Sequence, residues 1–422
     1  MNDKYNQLRQ QYPVFEYKGY DFEILDDRIE IRFDFAIGSF EFHPQMSLHP
    51  GHHIRVKPQA DMVEPLVFQI GLIELISYWK CCCPPLVRVS RYKLGKEAQQ
   101  WWKKLYFNGL GEFFYQNGIN ATEEDFLDFS FADDALPADR LRYPQVTNTE
   151  RVLVPVGGGK DSVVTLEDLR SDYKIVPFII NPRGATLDCA RIAGFPEEKD
   201  VVVLKRQIDP LLISLNSRGF LNGHTPFSAM LSFYSLLVSY VTDTRDVALS
   251  NESSANEPTI PGTKVNHQYS KSLEYEEDFR WYVKTFLNDA NHYYSHLRPL
   301  TELQIAERFA RHQQYFKVFK SCNAGSKQNI WCCNCSKCLF AYIILSPFID
   351  NDTMVDIFGE DLLDKPSLLQ YFDELTGMAP NKPFECVGTL DEVNEALRRI
   401  LPSRKDKFLV KHYISQKGLS TL

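Results

Sequence analysis

The feature that most constrains this chain is a change of texture near residue 150. From there, short apolar runs alternate with helical patterns. "RVLVPV" precedes "DSVVTLEDLR", "YKIVPFIIN" precedes "TLDCARIAGF", "DVVVLKR" precedes "SAMLSFYSLLVSYVT", and "DVALSNES" precedes "LEYEEDFRWYVKTFL". Nearly continuous apolar strands separated by helices predict a parallel sheet covered on both faces. Upstream, "FEYKGYDFEILDDRIEIRFDFAIG" is aromatic and β-branched with partial alternation, which predicts strands and hairpins. "EPLVFQIGLIELISYWKCC" predicts a helix that stops before Pro84-Pro85, with "CCCPP" at its buried end. "KEAQQWWKKLYFNGLGEFFYQNG" predicts one more helix, and the acidic, proline-punctuated "DFSFADDALPADRLRYPQVTNTE" predicts a linker. The expected class is α/β: an N-terminal mixed α+β domain over 1–148, a parallel-sheet domain over 149–350 and a helical C-terminal extension over 351–422.

Between the first of these strands and its helix stands "GGGKDS", Gly157 to Ser162. Glycine accepts unusual dihedrals and lets backbone approach backbone. A helix N-terminus at the carboxyl end of a parallel strand favours an anion, and a phosphate is the natural guest. Neither G-x-x-x-x-G-K-[ST] nor G-x-G-x-x-G followed by a suitably spaced acid is present. The stretch resembles the SGGxDS loop of the PP-loop ATP pyrophosphatases, in the adenine nucleotide alpha hydrolase-like fold. The resemblance implies ATP cleaved between its α- and β-phosphates, with Gly157, Gly158, Gly159, Lys160, Asp161 and Ser162 around the phosphates. Gly157 stands where that pattern has its first serine. Lys160 would add positive charge where pyrophosphate leaves. "ALSNESSANEP" follows the last clear strand, and Asn251, Glu252 and Asn256 are candidates for the nucleotide.

A net charge of −8 and scattered Lys and Arg argue against a nucleic-acid surface. No apolar run approaches the roughly 20 residues of a membrane span, and the start of the chain lacks a signal-peptide core, so a cytoplasmic location is expected. Ten cysteines in such a setting read as thiols or metal ligands. Cys322, Cys332, Cys335 and Cys338 have the spacing C-x9-C-x2-C-x2-C, with Cys333 as an extra. That pattern suits a closed tetrahedral thiolate site for structural zinc. An iron–sulfur cluster and inert buried thiols are the alternatives. The Cys run after a PP-loop region also resembles 7-cyano-7-deazaguanine synthase.

Several stretches in order, "FEFHP", "IGLIELISYWK", "VPVGGGKDS", "NGHTP", "SNESSANEP", "VNHQYSKSLEYE" and "WCCNCSKC", resemble the MurL family of UDP-N-acetyl-α-D-muramoyl-L-alanyl-L-glutamate epimerases. The resemblance spans roughly residues 30–350. It implies epimerisation of the terminal L-Glu of UDP-MurNAc-L-Ala-L-Glu in peptidoglycan precursor synthesis, with ATP giving AMP and pyrophosphate, Mg²⁺ required, and a MurD-like L-Glu-adding ligase just upstream. Adenylation fits such a reaction, because a neutral mixed anhydride makes the α-proton far easier to remove than a carboxylate does. His224 or His267 is the expected base, since imidazole titrates near neutrality. Asp161 is the expected Mg²⁺ ligand. Arg183, Asn222 and Lys271 are candidates for substrate contacts. Two other functions stay open. A carboxylate-activating enzyme like the deazaguanine synthase would need a nitrogen source. A nucleotide-binding module without turnover would bind ATP and form no AMP. A tRNA-modifying thiolase is disfavoured by the acidic balance.

Overall fold

A computed structural model describes residues 3–260, 263 and 265–419. Ten strands form one path, with Phe40–Phe42 paired onto Ile29–Ile37 beside it. From one edge the order is His292–Ser295, Asp246–Leu249, Arg151–Pro155, Lys174–Ile180, Val202–Gln207, Gln45–His49, Ile29–Ile37, Val14–Ile24, Leu86–Val89 and Asp128–Phe131. The first five are mutually parallel. Numbered in chain order from Arg151–Pro155, they lie as 5-4-1-2-3. The strand His292–Ser295 is not among those the sequence predicts. It is four residues long and lacks an apolar run to announce it.

Side-chain alternation divides this parallel half between two cores. Leu153, Val176, Phe178, Val202, Leu204, Val247 and Leu249 face one. Val152, Val154, Ile179, Val203 and Ala248 face the other. The crossover helices follow the same division. Lys160–Leu169 and Gly184–Ile192 cover the second face, while Phe227–Thr242 and Leu273–Phe286 cover the first. Strand order therefore reverses between Arg151–Pro155 and Asp246–Leu249, with helices on both sides, as in a doubly wound sheet.

The linker expected over 128–150 is only partly one: Asp128–Phe131 is a strand of the sheet, paired with Leu86–Val89, and residues 141–150 alone carry no helix or strand, yet the sheet continues across the two sides. Gln45–His49 runs antiparallel to Val202–Gln207, pairing Leu48 with Leu204 and Met46 with Arg206. The predicted hairpin is present as Val14–Ile24 against Ile29–Ile37. The predicted apolar helix spans Ala60–Trp79 and is buried from Pro65 through Trp79. Gly71 lies where it passes Tyr17, and a β-carbon there would sit 1.9 Å from the Tyr17 hydroxyl. Its one carboxylate in the core, Glu74, is fully buried. Arg206 meets it in a two-pronged contact, Nε–Oε1 2.6 Å and Nη2–Oε2 2.8 Å, and the Tyr234 hydroxyl donates to it as well. A charge so enclosed is tolerated because both of its oxygens are engaged and its partner is a cation. This contact ties the N-terminal helix to the parallel half.

The single helix predicted over 96–118 is two, Lys96–Gly109 and Gly111–Gln116. Leu110, between two glycines, leaves helical geometry at φ −99° and ψ 8°. The bend brings Glu112 round toward the carboxyl side of the parallel strands. After Ser336–Leu345, the C-terminal part is helical: Asn351–Phe358, Leu369–Thr376, Leu390–Arg404 and Phe408–Lys417. These helices share the second core with the strands, through Met354, Phe372, Leu397 and Tyr413. Among the described residues, no helix is long and apolar enough to cross a membrane.

Candidate active site

The glycine loop leaves the carboxyl end of Arg151–Pro155, and Asn251-Glu252 follow the carboxyl end of Asp246–Leu249. These are the two strands between which the order reverses, where open α/β sheets bind ligands. Gly158 has φ +81°, a conformation that strains any residue with a side chain. It also lies against the next loop, where a β-carbon would sit 2.8 Å from the Ala185 carbonyl carbon and 2.9 Å from Thr186 N. Its carbonyl accepts from Lys320 N at 2.8 Å, and Ser321 stands beside Gly159. The loop is thus held between two neighbouring segments, with Gly159 as the cap of helix Lys160–Leu169 and Asp161 in its first turn.

Lys160 is only 5% exposed. Its ammonium is bonded to both Asp161 and Glu302. Glu302, 2% exposed, opens the helix Glu302–Ala310 behind a Thr301–Gln304 capping box, and its backbone N–H donates to Glu392 at 2.8 Å. Burial raises the Glu302 pKa, with Lys160 opposing. Burial also works against the Asp161 charge, but Lys160 and then Lys337 prevail and hold its pKa down. Lys160→Met leaves Glu302 without its counter-charge, so it is expected to cost roughly 3–5 kcal/mol in urea unfolding. The double variant Lys160→Met with Glu302→Met is expected to recover most of that loss. Equal instability of the single and double variants would show that the pair is not coupled.

A second group lies across from this one. Glu112, 7% exposed, contacts both predicted histidines. His267 Nδ1 is bonded to it, and His224 Nδ1 stands 3.4 Å from Oε2. The two imidazole rings are 4.6 Å apart. Burial, then the neighbouring His267, push His224 down to about 4. Burial opposes the charge of His267, but hydrogen bonds to Cys386 and Glu112 push it up to about 9. At neutral pH one imidazole is therefore neutral and the other cationic. Lys80 positions His224 by donating to the Gly223 and His224 carbonyls at 2.5 and 3.1 Å. Lys271 donates to Cys386 Sγ at 3.1 Å and feels the charges of Glu252 and Asp161, which links the two groups. Arg298 clasps the same region through the Glu252 and Lys271 carbonyls, at 2.7 and 2.6 Å.

The remaining predicted residues are placed less centrally. Asn251 is buried and donates to Ser295 Oγ at 3.1 Å. Asn256 is exposed and accepts from Leu273 N at 2.8 Å, fixing the start of a helix. Arg183 is exposed and donates to Ser326 Oγ at 2.6 Å. Asn222 is exposed, with its carbonyl bonded to Asn117. Ser162 Oγ donates back to the Gly159 carbonyl at 3.0 Å. Glu112, Glu302, Lys337 and Cys386 were not among the candidates. Glu112, Glu302 and Cys386 come from segments distant in the chain and carry no motif of their own, whereas Lys337 lies inside the "WCCNCSKC" motif, which was read for its sulfurs alone.

The four predicted cysteines meet. Cys322 and Cys335 sulfurs are 4.0 Å apart, and those of Cys332 and Cys338 are 3.7 Å apart. All four lie within 4.8 Å of one another. Tetrahedral zinc at its usual sulfur distance has edges of ~3.8 Å, so the spacing fits that ion. Gly325 N donates to Cys322 Sγ at 3.1 Å and Cys338 N to Cys335 Sγ at 3.5 Å, fixing both sulfurs toward the group. Cys333 turns away, to the Phe358 carbonyl at 3.0 Å.

The family model for the MurL N-terminal domain matches residues 6–296, and that for the MurL C-terminal domain matches residues 318–418. The chain belongs to the MurL family. Curated MurL relatives named UDP-N-acetyl-alpha-D-muramoyl-L-alanyl-L-glutamate epimerase are similar over most of its length. The protein from Salinispora tropica is 33% identical, over 93% of this chain and 86% of its own. That from Xanthomonas oryzae pv. oryzae is 35% identical over 84% and 79%. One from a Micromonospora species is 35% identical over 78% and 73%. The MurL match includes the glycine loop, the histidine pair and the cysteine quartet.

Proposed function

We propose that this protein epimerises the terminal L-Glu of UDP-MurNAc-L-Ala-L-Glu to D-Glu in peptidoglycan precursor synthesis. The observation that carries this reading is membership of the MurL family through both of its domains. The substrate is a cytoplasmic nucleotide-linked dipeptide, supplied by a MurD-like ligase that adds L-Glu. ATP supplies the adenylyl group that turns the glutamate carboxylate into a neutral mixed anhydride.

The loop Gly157–Gly159 and the N-terminus of helix Lys160–Leu169 form a PP-loop that receives the phosphates. This is supported by the left-handed Gly158, the free N–H groups of the helix start and the position at the strand reversal. Asp161, partly exposed beside it, is the hard oxygen ligand suited to Mg²⁺. Cys322, Cys332, Cys335 and Cys338 hold zinc in a closed structural site. Lys160 favours the charge of Asp161 and holds Asp161 and Glu302 in place. The Glu112–His224–His267 group faces the acyl end and handles protons, with His267 held cationic and His224 neutral.

The test is purified protein with Mg·ATP and UDP-MurNAc-L-Ala-L-Glu in D₂O, followed by analysis of AMP, pyrophosphate and the product glutamate. Deuterated D-Glu with AMP is the expected result. AMP with unchanged L-Glu would discard the epimerase and keep carboxylate activation. Absence of AMP would discard both.

A further inference from the structure

Cys386 lies in "ECVGTL", in the C-terminal part of the chain, and has no metal-ligand spacing. The fold nevertheless carries it to the histidine group. Lys271 donates to its sulfur at 3.1 Å, His267 is hydrogen-bonded to it, and Lys337 holds its backbone carbonyl. Two cations on one sulfur favour the thiolate. Next to it Gln268, 5% exposed, gives its Nε2 to the Val387 carbonyl at 3.4 Å, and among the described residues its Oε1 has no hydrogen-bond partner. An open buried acceptor beside an activated sulfur is what the N–H flanking a peptide α-carbon would meet. Cys81, Cys82, Cys83 and Cys189 are by contrast buried, and among the described residues no cation is bonded to their sulfurs.

The geometry points to Cys386 as a catalytic residue of the epimerisation, taking the α-proton from one face of the activated glutamate. The assignment rests on the epimerase reading above. In the step, the Cα–H bond breaks and an S–H bond forms at Cys386, while the C–H electron pair becomes the second bond between Cα and the acyl carbon and the carbonyl π pair moves onto its oxygen. The oxygen's electron pair reforms the carbonyl as a protonated group on the opposite face returns a proton to the α-carbon, and that group regains its proton from solvent. Water then cleaves the anhydride to AMP and the D-Glu carboxylate, and the thiol loses its proton to solvent. Lys271 is a positioning residue here, since it acts through the sulfur, and His267 holds the sulfur in addition to its place in the proton-handling group. Burial opposes the thiolate, but Lys271, the His267 hydrogen bond and Lys337 prevail and bring its pKa down to about 6.

Cys386→Ser keeps the shape and an acceptor for Lys271 but has no comparably acidic group. Full-length wild type and variant are compared for ATP–pyrophosphate exchange with UDP-MurNAc-L-Ala-L-Glu and for deuterium entry at the α-carbon in D₂O. The variant is expected to keep exchange within a few-fold and to lose α-deuteration and D-Glu by at least about 100-fold, the lower end of general-base effects. Alkylation of wild-type Cys386 by iodoacetamide, followed by peptide mass, is expected to accelerate through pH 6 and to be blocked by substrate. Deuteration in the variant within tenfold of wild type overturns the assignment. So does parallel loss of exchange and deuteration with a native circular dichroism spectrum, which marks a structural role. If wild type itself forms no AMP with this dipeptide, the substrate reading fails and the assignment with it. That outcome is visible without the variant.

Discussion

Gly158→Ala is expected to lose AMP formation by about 100-fold or more, the scale of a 1 Å misplacement in a reacting site. Two effects coincide at this position. Its φ of +81° strains any side chain, and the new methyl meets Ala185 and Thr186 backbone atoms inside 3 Å. Those are backbone atoms of the neighbouring loop, so relief requires the loop to move. Strain and overpacking together amount to roughly 2–4 kcal/mol, read as a lower midpoint in urea. Gly157→Ala meets nothing within 4 Å and is expected to change stability by less than about 1 kcal/mol. A Gly158→Ala protein with wild-type AMP formation would remove the loop from the ATP site.

Cys338→Ser is expected to release the metal and lower stability by about 5 kcal/mol or more. That is a part of the roughly 10–16 kcal/mol structural zinc contributes in small peptides. The reason lies in where the quartet sits. Cys322 and Cys332 come from the irregular segment before helix Ser336–Leu345, Cys335 caps that helix and Cys338 lies in its first turn. Without the ion, that segment loses the anchor beside the glycine loop, at Lys320 and Ser321. Zinc by elemental analysis should be about one per chain in wild type and absent from Cys338→Ser. Cys333→Ser should retain it, because that sulfur points to the Phe358 carbonyl. Loss of metal from Cys333→Ser, or its absence from wild type, would undo the assignment.

What was legible in the sequence was whatever is written locally. Apolar strands after residue 150 announced the doubly wound half, because both of their faces are buried. The Cys spacing identified the four sulfurs that meet. The glycine triplet was legible as a turn, and Gly158 is where the turn needs it. What was not legible is set by contacts between distant segments. Glu302 looks like an ordinary first-turn acid behind a capping box, and only packing reveals that it is buried against Lys160. Glu112 becomes a partner of the histidines because the helix breaks at Leu110. Cys386 reaches Lys271 and His267 from over a hundred residues away. The single sheet was hidden for the same reason, since its two halves join through one antiparallel pair.

That joining pair has a consequence for synthesis. Gln45–His49 has its hairpin-side neighbour, Ile29–Ile37, as soon as both are made, but its other edge pairs only with Val202–Gln207. At 5–20 residues per second, the roughly 160 intervening residues keep that edge unpaired on the order of 10–30 s on the ribosome. An open, strand-ready edge is a template for association with other chains. The nascent N-terminal third is therefore exposed to association with other chains at this stage, and slow translation between residues 50 and 200 should lower soluble yield.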